Sequence, residues 1–163
     1  MRPEDERHLK SLLRHVENVS QSCLLLGERI IENGSEKFGI DLISNGRIHD
    51  HSKFHGSEWL YLRPEFLSSD KEELFNLCKF QHVTSNPHHP EYWGSIHDMP
   101  SIYVAEMVCD WSARSHEQGN DLRDWIKDRG TKMFGMTVQS KIYKEIKNFV
   151  DLLLDPGFKN DNK

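Results

Sequence analysis

Leu9-Lys-Ser-Leu-Leu-Arg-His-Val-Glu-Asn-Val-Ser-Gln-Ser-Cys-Leu-Leu-Leu-Gly-Glu-Arg-Ile30 decides the fold class. Leu9, Leu12, Leu13, Val16, Val19, Cys23, Leu26 and Ile30 recur every three or four residues, which places them on one face of a helix. Pro3 and the acids at 4 to 6 suit a first turn, and Asn33-Gly34 suits a stop, so a helix is expected over 5–32. At 100° per residue His15 falls about 70° from the centre of the apolar stripe, at its edge, where a side chain can reach inward without filling the core.

The same reading carries outward. A second helix is expected over 39–54, interrupted near Asn45-Gly46, and it holds the densest polar cluster of the chain, Ile48-His-Asp-His-Ser-Lys-Phe54. Arg63-Pro64 breaks the pattern, because the residue before a proline is pushed out of the α region. Asp70-Lys-Glu-Glu73 reads as an N-cap with an acid at the third helical position, followed by Leu74, Leu77, Cys78, Gln81 and His82 at helical spacing. Thr84 to Gly94, with Pro87 and Pro90, is expected to be an ordered loop. Pro100 opens a helix over 100–117, Asn120 or Asp121 caps a shorter one through Arg129-Gly130, and Thr137 caps a last amphipathic helix that stops at Asp155-Pro156-Gly157. No alternating strand pattern and no repeat interrupts this series. The expected fold is all-α, a single compact domain of five to seven helices over 1–157, with 158–163 a polar tail.

Composition narrows the function classes. With 163 residues, 36% of them hydrophobic, there is room for one core. The longest aliphatic run, Leu24 to Leu26, falls far short of the roughly 18 residues of a membrane span. The acidic start, Met1 to Arg7, is unlike a secretory signal, and Cys23, Cys78 and Cys109 are scattered thiols suited to a reducing compartment, so a cytoplasmic location is expected, with no membrane partner. A net charge of −5 argues against an extended nucleic-acid groove, which needs clustered Lys and Arg. Homo-oligomerisation is left open.

The unusual number is 10 histidines. Three places on expected helices supply imidazole and carboxylate groups suited to a metal: His15, His49-Asp50 and Asp110. Glu106 and Asp110 share a face with Ile102, Cys109 and Ala113, and two acids on an apolar face need a cationic partner, for which a divalent ion is economical. His51 and His55 flank the second site and read as solvated or as support behind the ligands.

The order His15, His49-Asp50, Asp110 resembles the HD-domain superfamily of metal-dependent phosphohydrolases, an all-α fold whose signature is His, His-Asp, Asp. His49-Asp-His-Ser-Lys53 is similar to that superfamily's His-Asp-x-Gly-Lys form, with serine for glycine. More closely, the chain resembles a family of small uncharacterised HD-like bacterial and phage proteins. The features shared are His49 to Phe54, Asn86-Pro-His-His-Pro-Glu-Tyr-Trp93, and Met99-Pro100 leading to Glu106-Met-Val-Cys-Asp-Trp111. Two departures stand out. His82, His88 and His89 fall within eight residues, where two-metal relatives spread their extra histidines, and Lys53 replaces a glutamate that serves one branch as general acid.

The resemblance implies a metal-dependent phosphohydrolase, a phosphomonoesterase or phosphodiesterase, acting on a small anionic phosphate ester, foremost a nucleotide. His15, His49, Asp50 and Asp110 are the expected ligands, joined by His82 and His89 if a second ion is bound, with Mn, Fe, Co, Mg or Ni at one or two per chain. Two such ions would bring −5 to −1 and make the site locally positive. Asp50, Lys53 and Glu106 are the expected catalytic residues: Asp50 or Asp110 orients the attacking water, Lys53 offsets phosphate charge, and Glu106 supports a ligand or acts as general base. Substrate contacts are expected from Lys53, His88 and Trp93, with Arg114 either a phosphate clamp or a salt bridge to a neighbouring acid. Tyr92 and Trp111 stand with Trp93 as a stacking wall for a base or as core. His82, His88 and His89 either hold a second ion or clamp the substrate. Two other classes stay open, an HD-type diiron oxygenase and a metal- or nucleotide-binding module without turnover.

Overall fold

In the computed structural model, which describes residues 2–155 and 157, α1 (Pro3–Glu32) and α2 (Glu36–Ile48) form an antiparallel hairpin around Asn33 and Gly34. Glycine sets how closely the two helices approach. A Cβ on Gly39 would stand 2.5 Å from the Gly27 carbonyl oxygen, and one on Gly46 would stand 2.5 Å from Cys23 Cβ. The expected interruption at Asn45-Gly46 is absent, because Gly46 serves as a contact between backbones and α2 runs on to Ile48. That contact lays the end of α2, and so His49, against the middle of α1.

Past Ile48 the chain turns sharply. Asp50 takes the left-handed conformation (φ 56°), which Asp tolerates better than most residues, and His51–Phe54 form a short 3-10 turn where helix was expected. The short α3 (Gly56–Tyr61) and α4 (Glu72–Ser85) follow. Asp70 does not cap α4, whose N-cap is Lys71, and the buried stripe of α4 is Cys78 and His82 rather than Leu74 and Leu77, which are exposed. The expected loop holds a 3-10 turn at Pro90–Trp93, tied down by the Trp93 indole N–H, which donates to the Pro87 carbonyl at 2.8 Å.

Helix α5 (Ser101–Gln118) ends where Gly119 adopts φ 69°. A stretch of α6 (Leu122–Trp125), a π-helical turn (Ile126–Gly130) and α7 (Thr131–Met133) comes next, with Asp121 as its cap; Gly130 is helical and does not end it. Ser140, not Thr137, caps α8 (Lys141–Leu154), its side chain accepting from the Tyr143 N–H. The expected tail lies outside the described residues. Five helices of 13 residues or more and two shorter helical stretches match the all-α expectation, with no strand among the described residues. No described helix is long and apolar enough to cross a membrane.

The core sits between α1, α2, α5 and α8, where Val19, Leu26, Leu42, Met107, Val108, Ile146 and Val150 are fully or almost fully buried. Above it α1, α2 and α5 each carry a polar residue inward, and α4 with its following loop closes over them.

Candidate metal centre

The sequence-predicted ligands are delivered by several separate elements. His15 comes from α1, His49 and Asp50 from the end of α2, and Asp110 from α5; His82 ends the buried stripe of α4, and His88 and His89 descend from the loop that Trp93 pins. Three overlapping groups bring donor atoms within 4.8 Å of one another: Asp50 with His82, His88 and His89; His15 with His49 and Asp50; and His49 with His88 and Asp110.

Asp50 stands between two halves. Its Oδ2 lies 3.8 Å from His15 Nε2 and 3.6 Å from His49 Nε2, while its Oδ1 lies 3.2 Å from His82 Nε2 and 3.5 Å from His88 Nε2. Asp110 Oδ1 is 3.0 Å from His15 Nε2 and 3.9 Å from His49 Nε2, and so belongs to the first half. His89 Nε2, 3.1 Å from His82 Nε2, belongs to the second.

The outer nitrogens explain why these atoms point inward. His15 Nδ1 lies 3.0 Å from Glu117 Oε1, His49 Nδ1 lies 3.1 Å from Glu106 Oε1, and His82 Nδ1 lies 2.8 Å from Glu58 Oε2. A carboxylate there holds the ring proton on Nδ1 and leaves the Nε2 lone pair facing the centre, the arrangement common behind metal-ligating histidines. His88 Nδ1 is 3.4 Å from the same Glu106 oxygen. Glu58 also accepts from the Ser52 hydroxyl at 2.9 Å, and Glu117 accepts from Asn18 at 3.0 Å. Glu58 and Glu117 escaped the sequence reading: nothing in the spacing of an acid marks it as the partner of a histidine 24 or 102 positions away.

Whether the residues present fit a metal can be judged from the atoms left over. His15 Nε2, His49 Nε2, His88 Nε2, Asp50 Oδ1 and Asp110 Oδ1 are buried and have no hydrogen-bond partner. Buried polar atoms are nearly always paired, and five unpartnered ones converging on one centre form a donor set that could hold a cation. Charges follow the same pattern. Burial alone would raise the Asp50 carboxyl, yet Lys53 and the surrounding imidazoles hold it well below the usual carboxylate range. Burial likewise opposes ionisation of Asp110, and His15 and His49 override it. His89 is pushed down to about 3 by burial and then by its neighbours His88 and His82, which keeps its ring neutral and able to ligate.

The remaining predicted residues divide. Lys53 reaches the centre through the turn after Asp50, not through helical register, and its Nζ lies 2.5 Å from Asp50 Oδ2. His88, expected on the substrate, lies inside the ligand cluster. Glu106, expected as ligand support or general base, is buried and holds His49, His88 and Asn45, a placement that suits the supporting role. Arg114 is half exposed, pairs with Glu117 at 3.2 Å, and lines a cleft of about 310 Å³ that opens onto His15, His82 and His89. Trp93, Tyr92 and Trp111 do not line it: Trp93 packs on Tyr92 and Tyr103, and Trp111 on Trp125 and Phe134. The Trp93 indole N–H is taken up by Pro87, and Trp93 and Trp111 pack within the fold, as the core alternative has it. His51 and His55 are exposed, their rings 5.8 Å apart.

No curated protein and no solved structure matches this chain, whereas a family model described as a family of unknown function, DUF5662, matches residues 4–155.

Proposed function

The chain belongs to DUF5662, whose description names no activity, and from the geometry we propose that it is an HD-type phosphohydrolase that uses bound divalent metal to hydrolyse a small phosphate ester. The observation that carries this reading is the convergence of five buried, unpartnered donor atoms beside an open cleft that His15, Lys53, His82 and His89 line. His15, His49, Asp110 and Asp50 Oδ2 would hold one ion, and His82, His88, His89 and Asp50 Oδ1 a second. When bound, such ions supply a water acidic enough to attack at neutral pH and offset charge on the phosphoryl oxygens. Five imidazoles suit Mn, Fe, Co or Ni better than Mg, which prefers oxygen ligands.

The chain's own residues do the rest. Glu117, Glu106 and Glu58 fix the rings, so the ligand set is organised before substrate arrives. Asp110 is held ionised and can orient the attacking water. Lys53 and Arg114 line the cleft, where they draw an anionic group toward the centre and offset its charge in the transition state. Among small esters a nucleotide is the class the resemblance suggests.

A phosphate-release screen over nucleotides, sugar phosphates and aryl phosphates, run with each metal in turn, tests the reading. Release that requires metal and disappears in His49→Ala is expected; metal-loaded protein silent on every class would overturn it. The imidazole-rich set also favours a second reading, a diiron oxygenase, which iron content with oxygen uptake and no phosphate release would support.

A further inference from the structure

Beyond the ligand cluster the cleft continues for two helical turns. On α1, His8, Leu12 and His15 share one buried face, and on α4, Phe75, Lys79 and His82 line the facing wall. Each series spans seven residues at 1.5 Å per residue, so the walls run about 10 Å from the cluster to an outer end at His8 and Phe75. Leu12, Leu62 and Val83 make the intervening surface apolar.

The outer end is built with care for its geometry. Arg63 is buried, donates to Asp5 Oδ1 at 2.8 Å and to the Trp59 carbonyl at 3.0 Å, and lays its guanidinium 5.1 Å from the Trp59 ring centre. Trp59 in turn packs its ring 5.1 Å from that of His8. His8 is 9% exposed, and its Nε2 has no hydrogen-bond partner. A fixed imidazole with an unused nitrogen is costly in a wall that only needs to be apolar. Burial and the nearby Arg63 also lower its pKa, so the ring stays neutral and can donate or accept.

We propose that this part of the cleft is a second subsite, for the organic part of an anionic monoester: a compact, largely apolar group no longer than about 10 Å that ends in one hydrogen-bonding function met by His8. This rests on the phosphohydrolase reading for the anionic end alone, and it favours such an ester over the nucleotide that resemblance suggests. Phe75 and the leucines select for the body, His8 for its tip, and a polymer does not fit.

Calorimetry on the full-length, manganese-loaded protein separates the two parts with non-hydrolysable probes. Benzylphosphonate is expected to bind about tenfold more tightly than methylphosphonate, as burial of one ring allows, and Phe75→Ala to erase that difference. A 4-hydroxymethyl group on the benzyl ring is expected to add a further gain of about threefold, which His8→Phe, a variant that keeps the packing on Trp59, removes. Inorganic phosphate reads the cluster alone and is expected to bind wild type and His8→Phe equally. No preference for benzylphosphonate, or a hydroxymethyl gain that survives His8→Phe, overturns the subsite. Failure of phosphate to bind while benzylphosphonate still binds overturns the phosphohydrolase reading and leaves the subsite standing.

Discussion

Nε2 of His89 lies 3.1 Å from Nε2 of His82. The His82 proton is held on Nδ1 by Glu58, so its Nε2 presents a lone pair that either accepts from the His89 Nε2–H or, with His89 in its other tautomer, can share a cation with it. Purified protein loaded with Mn or Co should carry close to two ions per chain, one in His82→Ala and none in Asp50→Ala. Elemental analysis after gel filtration reads this directly, and unchanged content in both variants would remove Asp50 as a bridge.

Glu58 and Glu117 never reach the centre, yet each fixes one ring. Glu58→Gln and Glu117→Gln should weaken metal binding by roughly 10- to 100-fold while leaving the circular dichroism spectrum intact. A competitive chelator titration measures it, and wild-type affinity in both would show that the rings orient without them.

Lys53 stands 2.5 Å from Asp50, where it competes with an ion and also faces the cleft. Lys53→Met should therefore bind metal at least as tightly as wild type but turn over a phosphate ester about 10²-fold more slowly. Weaker metal binding would mean that the ammonium organises the ligand more than it competes.

The close approach at Gly46 makes a prediction about stability. In Gly46→Ala the new methyl meets Cys23 Cβ, so α1 and α2 must part; a loss of about 1–3 kcal/mol in urea unfolding is expected, together with weaker metal binding as His49 shifts from His15. Wild-type stability would mean that the hairpin gives way without cost.

Acid should destabilise the metal-free protein in a defined window. His89 is held down to about 3 in the fold against an ordinary value near 6.5, so between those limits the unfolded chain binds the proton more readily. Stability is thus whole above 6.5 and falls as pH drops toward 3. His49 shifts the other way, so the comparison is with His89→Phe, whose stability should fall less steeply over that range. Parallel curves would refute the assignment.

Much of this site was legible because helical periodicity fixes direction. His15 at the edge of the α1 stripe, and Glu106 with Asp110 on one face of α5, could be placed inward from spacing alone, and the helices themselves followed from their apolar repeats. The turn after Ile48 was not legible: a left-handed Asp50 is a backbone choice made by the closure of α3 and α4 over the core, and no local pattern announces it. The loop histidines were legible as a group, with a second ion and a substrate clamp both left open, since spacing alone does not show where a loop pinned by the Trp93–Pro87 hydrogen bond sends its side chains. Trp93 stayed open between stacking wall and core for the same reason, because an indole that bonds within its own loop looks, in sequence, like one awaiting a ligand.

The hydrogen bond between His15 and Glu117 spans 102 positions. At a ribosomal pace of about 5–20 residues per second, α1 waits roughly 5–20 s for the partner that orients its imidazole. Between the synthesis of Asp50 and that of Asp110 the nascent chain holds His15, His49 and Asp50 without their fourth partner, an incomplete set. On the proposed reading, a complete ligand set exists only after α5 has emerged, so the order of translation sets when the site can be loaded.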